Sequence, residues 1–146
     1  MKKTMMTLTM MFILATCVFA GNSGVEPEVL KAFANRFNNA QEVLWSTGNS
    51  YYRASFIYNG RSLFAYYNTN AELIGIARYV SPIQLPEFLQ KNLRRYYSEY
   101  WISSLIEVSN EEGMNYFITL QYKDEKIILE SRDRNSWQIY RKYKNQ

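Results

Sequence analysis

The chain repeats itself. The segment Tyr52-Arg53-Ala54-Ser55-Phe56-Ile57-Tyr58 is echoed 64 residues later by Tyr116-Phe117-Ile118-Thr119-Leu120-Gln121-Tyr122, and the same offset still relates Tyr79 to Tyr143. Each copy follows a stretch of helical periodicity that opens at a proline, Pro27 or Pro86. A repeated helix-plus-strands unit constrains architecture strongly, because every copy must bury one face against something. It constrains chemistry far less.

In the first copy, Val29, Leu30, Phe33 and Phe37 fall on one helical face, and Pro27 suits a first turn, where a missing N–H is no loss. Four strands are predicted after it, over 42–46, 51–58, 61–67 and 72–80. Asn59-Gly60 predicts a two-residue hairpin, since a type I′ turn needs positive φ at both central positions. The second helix is predicted over 86–97, with Phe88, Leu89, Leu93 and Tyr96 inward, Leu85 packing just before it and Trp101 plugging the core after it. Strands follow within 100–108 and over 114–122, 125–131 and 136–143, with Lys123-Asp124 at the hairpin tip. The prolines are 59 apart and the tyrosines 64, so the second copy carries five extra residues between its helix and its second strand. One helix over four short strands buries little alone. The pattern therefore predicts an α+β fold: two helix-plus-four-strand repeats, about 26–80 and 85–144, forming one antiparallel sheet with both helices on one face.

The first twenty residues read as an export signal. Lys2 and Lys3 precede an apolar stretch from Met5 to Phe19, and Val18-Phe19-Ala20 fits the small-residue pattern before a cut. The stretch is shorter than the roughly 20 residues of a membrane span. Leu14-Ala15-Thr16-Cys17 loosely fits a lipoprotein box, which would make Cys17 a lipid anchor instead. Cleavage after Ala20 leaves residues 21–146 as a single domain, large enough to hold a core without staples.

Composition excludes most catalytic chemistry. There is no histidine, and Cys17, the only cysteine, leaves with the signal. The commonest general base, thiolate nucleophiles and structural zinc sites are removed together. No nucleophile elbow or phosphate-cradling glycine loop is present. Glu111-Glu112 and Asp124-Glu125 read as solvated turn charge, and no metal or cofactor is expected. Removing Lys2 and Lys3 lowers the 17 basic residues to 15 against 13 acidic ones, too even a balance for a nucleic-acid surface.

What remains distinctive is aromatic content: all 13 tyrosines lie beyond residue 20. Tyrosine joins a ring that packs to a hydroxyl that seeks water or a partner, which suits a sheet face used for recognition. Trp45, Tyr51, Tyr66 and Trp137 are the candidate binding residues.

The order of these features resembles a known family. A helix with Leu30, Phe33 and Phe37, then Val43-Leu44-Trp45, a tyrosine-bearing strand, Asn59-Gly60 and Tyr66-Tyr67 is similar to the PepSY-like secreted proteins of the Bacteroidetes, which resemble beta-lactamase inhibitory protein. Leu85-Pro86 before a helix and the strand from Tyr116 to Tyr122 match the second half of that pattern. The resemblance covers residues 27–143. It implies a two-repeat α+β fold, a periplasmic or extracellular location and a binding role, with inhibition of a secreted enzyme as the analogy. The turns Asn68-Thr69-Asn70-Ala71 and Arg132-Asp133-Arg134-Asn135 lack the glycine that such proteins often carry there. The sequence thus predicts an exported, non-enzymatic module that binds a protein or peptide of the envelope or beyond, without stable membrane insertion. A structural envelope protein without a discrete ligand is the alternative.

Overall fold

The computed structural model describes residues 24–144; the expected signal segment, Cys17 included, lies outside them. In chain order the elements are α1 (Pro27–Arg36), β1 (Gln41–Thr47), β2 (Tyr51–Tyr58), β3 (Arg61–Asn68), β4 (Leu73–Tyr79), a 3-10 turn (Pro82–Gln84), α2 (Glu87–Tyr96), β5 (Trp101–Asn110), β6 (Gly113–Tyr122), β7 (Glu125–Ser131) and β8 (Gln138–Lys144). The eight strands form one open antiparallel sheet whose order follows the chain, β1 to β8. Two compact units divide at the Ile76–Ala77 junction, inside β4.

In the first unit, α1 opens as expected, with Pro27 in its first turn and Glu28 complementing the positive end of the helix dipole. Val29, Phe33 and Ala34 are buried on its sheet-facing side, and Phe37 just beyond it is buried too. Alternation along the strands delivers the partners: Val43 and Trp45 from β1, Ala54 and Phe56 from β2, Ala65 and Tyr67 from β3. Phe33 is the hub, meeting Phe56 edge-to-face at 4.9 Å and Trp45 at 5.2 Å. Edge-to-face pairs add about 0.5–1.5 kcal/mol each beyond the area they bury.

The hairpin tip at Asn59-Gly60 has φ of 51° and 74°, both positive as a type I′ turn requires. The turn after β3 forms without a glycine. The Asn68 side-chain oxygen accepts from the amides of Asn70 and Glu72, both at 2.9 Å, and holds Ala71 at φ 61°. Side-chain capping supplies here what a glycine would otherwise permit.

In the second unit, Leu85, Leu89 and Leu93 make a stripe at four-residue spacing that packs with Leu105, Tyr116, Ile118, Leu120, Ile127 and Leu129. Three inward expectations are corrected. Phe88 is 65% exposed and Tyr96 62% exposed, because the leucine stripe already occupies the inward arc of α2. Their rings lie beside Lys91 and Arg95 instead, 6.0 and 5.3 Å from cation to centroid. Trp101 is 59% exposed: its cross-strand partner is Gln121, whereas the next pair, Ile102 and Leu120, takes the inward face. The turn at Arg134, φ 63°, again lacks glycine and is held by Asp133, whose carboxylate accepts from the amides of Asn135 and Ser136 at 2.9 Å.

Candidate binding surface

Because β2 and β3 turn Ala54, Phe56, Ala65 and Tyr67 toward α1, the intervening residues face the other way. Cross-strand register places Arg53 opposite Tyr66, Ser55 opposite Phe64, Ser46 opposite Arg53 and Leu44 opposite Ser55, all on this outward face. Tyr51 and Tyr66 meet there with ring centroids 5.8 Å apart. Tyr51 is 42% exposed and Leu44 61%. The Arg53 guanidinium lies 5.6 Å from the Phe64 ring, and its Nε donates to Ser46 Oγ at 3.1 Å. The result is a cation held beside aromatic rings on the sheet surface.

Gly48, in the turn between β1 and β2, belongs to this arrangement. Its amide donates to the Tyr51 carbonyl at 2.8 Å, and a Cβ at position 48 would collide with the Tyr51 ring. The missing side chain is what lets that ring lie where it does.

Of the four aromatics singled out in the sequence, the structure brings together Tyr51 and Tyr66. Trp45 is buried at 6% exposure beneath α1, because β1 turns Val43 and Trp45 inward together. Trp137 is half-buried, packs against the second unit's core and donates its indole N–H to the Leu89 carbonyl at 3.1 Å. Trp45 thus belongs to the first unit's core and Trp137 packs against the second's, and neither stands on the outward face of the first unit. Arg53, Phe64, Leu44 and Gly48 were not singled out. The period-two alternation that placed Tyr51 outward places Arg53 there as well, so this signal was present.

Several titratable groups are engaged in pairs. Arg78 donates to Glu107 at 2.7 Å. Glu125 accepts from the Tyr100 hydroxyl and pairs with Lys142; the Tyr100 bond pushes that phenol up to about 12, and the Lys142 contact holds Glu125 below its ordinary range. Burial pushes the Tyr67 hydroxyl far above the ordinary tyrosine range, and it has no hydrogen-bond partner among the described residues. A concavity of about 370 Å³ in the first unit is lined by Arg36, Tyr67 and Leu73 among others, and one of about 360 Å³ in the second by Leu93, Arg94, Tyr97 and Tyr100. Among the described residues no carboxylate lines either concavity. Among the described residues no three acidic side chains converge as a metal site would require, and no helix is long and apolar enough to cross a membrane.

No protein-family profile matches the chain, and no curated protein matches it significantly. Solved structures do match in fold. A BLIP-like protein from Bacteroides fragilis superposes with a TM-score of 0.68 at 17% identity, covering 86% of this chain and 94% of its own. A DUF2874 family protein from Bacteroides ovatus gives 0.69 at 18% identity, covering 84% and 89%. A Bacteroides eggerthii protein assigned provisionally to the periplasm gives 0.69 at 16%, covering 82% and 88%. The α+β architecture is thus that of BLIP-like and DUF2874 proteins.

Proposed function

We propose that this chain is an exported, non-enzymatic binding module of the periplasm or cell exterior, which holds a protein partner on the outward sheet face of its first unit. One observation carries the reading: Tyr51 and Tyr66 pack together, partly exposed, beside an Arg53 already fixed against Phe64. Tyrosine and arginine are the residue types that dominate interface energetics, and side chains held in place before binding lose little entropy on contact. The fold shared with a BLIP-like protein and with one assigned to the periplasm is consistent with an inhibitor-like role there. The absence of histidine argues in the same direction by removing the commonest general base.

The test is capture of the native partner by the purified protein from its own cell envelope, then quantitation with variants. Tyr51→Ala and Tyr66→Ala should each weaken binding by about 2 kcal/mol or more, near thirtyfold. Gly48→Ala should weaken it as well while leaving the fold intact, since the added methyl displaces only the end of the Tyr51 side chain. Folded variants that bind like the parent would remove this face from consideration.

A further inference from the structure

β8 ends the strand order, and among the described residues no strand pairs with its outer edge. All seven of its residues are exposed. Such an edge presents a row of unpaired N–H and C=O groups that can accept another strand. Native edges are often guarded by charge, and here the charge has one sign: β8 carries Arg141, Lys142 and Lys144 and no carboxylate.

The neighbouring carboxylates are already matched, Glu125 with Lys142 and Glu130 with Arg132 at 2.8 Å. Lys126 and Arg141 make no ion pair among the described residues and lie against tyrosine rings instead. Lys126 is 5.7 Å from the Tyr143 centroid, and Arg141 is 5.7 and 6.0 Å from those of Tyr140 and Tyr143. Arg141 also donates to the Tyr143 hydroxyl at 3.2 Å, and Tyr140 packs edge-on against Phe117 at 5.6 Å. Charge placed only to repel other chains has no need of this ring scaffold. The sheet's other terminal strand is built differently: β1 carries only Glu42 as a charge, at φ 52°, and its pairing breaks register there.

A second copy of β8 would bring cations against cations, which disfavours self-pairing. An acidic strand reverses that sign. The geometry points to β8 as a docking edge for an acidic, extended segment of a partner protein. The segment's backbone would extend the sheet beyond β8, and its carboxylates would meet Lys126 and Arg141, which register with Tyr143 and Ile128 places on one sheet face. This edge lies in the second unit and stands independently of the aromatic face of the first.

The probe is a fluorescein-labelled peptide of about eight alternating Glu and Val residues, titrated with the purified protein by fluorescence anisotropy. Saturable binding is expected, weakening as salt is raised. The Lys126→Glu, Arg141→Glu double variant should weaken it on the order of tenfold or more. A peptide N-methylated at alternate amides keeps every charge but loses backbone donors, and should weaken comparably. Amides of β8 should exchange more slowly when the peptide is bound. Absence of binding overturns the proposal. So does equal affinity, within about twofold, for the N-methylated peptide or for a Gln-for-Glu peptide, since strand addition or charge recognition would then be wrong. Unchanged binding by the folded double variant would also overturn it. Should that variant unfold, Lys126→Gln with Arg141→Gln serves the same purpose with smaller loss.

Discussion

The two units meet one packing requirement with different side chains. The directly paired residues Ala54 and Ala65 in the first correspond, at the 64-residue offset, to the directly paired Ile118 and Leu129 in the second. All four are 0% exposed. Where the sheet offers two alanines, the core is filled by rings: Phe33, Phe37, Trp45, Phe56 and Tyr67. Where the sheet offers Ile and Leu, the helix answers with Leu89 and Leu93. Around these paired positions, buried in both units, bulk is distributed differently: by rings from helix and strands in the first, by aliphatic side chains in the second. Interiors are packed to near-crystalline density, so a change on one side of the core demands a complementary change on the other.

The comparison breaks first at its hub. Phe33→Ala removes a ring contacted by both Phe56 and Trp45 and should cost about 3–5 kcal/mol in urea unfolding. A loss below about 1 kcal/mol, typical of surface changes, would mean the rings do not carry this core. In the second unit, Leu89→Ala or Ile118→Ala should cost about 2–5 kcal/mol, and similar values for both would show the load spread over aliphatic contacts rather than gathered on one residue. The compensation itself is sharpened by Ala54→Ile, which overpacks the ring cluster and should cost about 1–3 kcal/mol. Pairing it with Phe33→Leu makes the first unit resemble the second. The double variant should be more stable than the sum of the singles allows, and strict additivity would show that the two positions do not share volume.

The smallest expected difference concerns pH. The first unit's turn is capped by neutral Asn68, the second's by Asp133. Hydrogen bonds from the amides of Asn135 and Ser136, with a further one from the Ser136 hydroxyl, hold the Asp133 carboxyl down at about 2. A depressed folded-state value means a stabilising contribution that is complete above the unfolded value near 3.9 and is lost as pH falls through about 2. Asp133→Asn should therefore flatten the acid limb of the stability curve measured between about pH 4 and 2. Asn68→Asp should steepen it. An unchanged acid limb in Asp133→Asn would show that the carboxylate does not cap the turn in solution.

How far the sequence could be read follows from the range of the interactions involved. Element type and count were legible because alternation and helical spacing are local, and even the Asn59-Gly60 turn announces its own geometry. The faces of α2 were less so. Phe88 and Tyr96 count as apolar on any scale, yet a helix has only so wide an inward arc, and leucines at four-residue spacing fill it first. Trp137 shows the same limit at longer range: its anchor, the Leu89 carbonyl, lies 48 residues away, beyond what spacing can reveal. In the candidate site, Tyr51 and Tyr66 were visible because two-residue periodicity sets their side, and Trp45 fell inward by that same periodicity. The collision that makes Gly48 matter depends on where a tyrosine ring folds back, which only coordinates disclose.

Strand order equal to chain order has a kinetic meaning. Every hydrogen-bonded strand pair joins consecutive strands, and the described segment has no crossover that must wait for a distant partner. Loop-closure cost rises with the separation of the groups brought together, and folding rates fall as that mean separation grows. A meander of this kind belongs toward the fast end for sheet proteins, and each hairpin can close before the next strand is available. A chain threaded out from its amino end could thus bank α1 and its three following strands as a formed cluster while β8 was still to come.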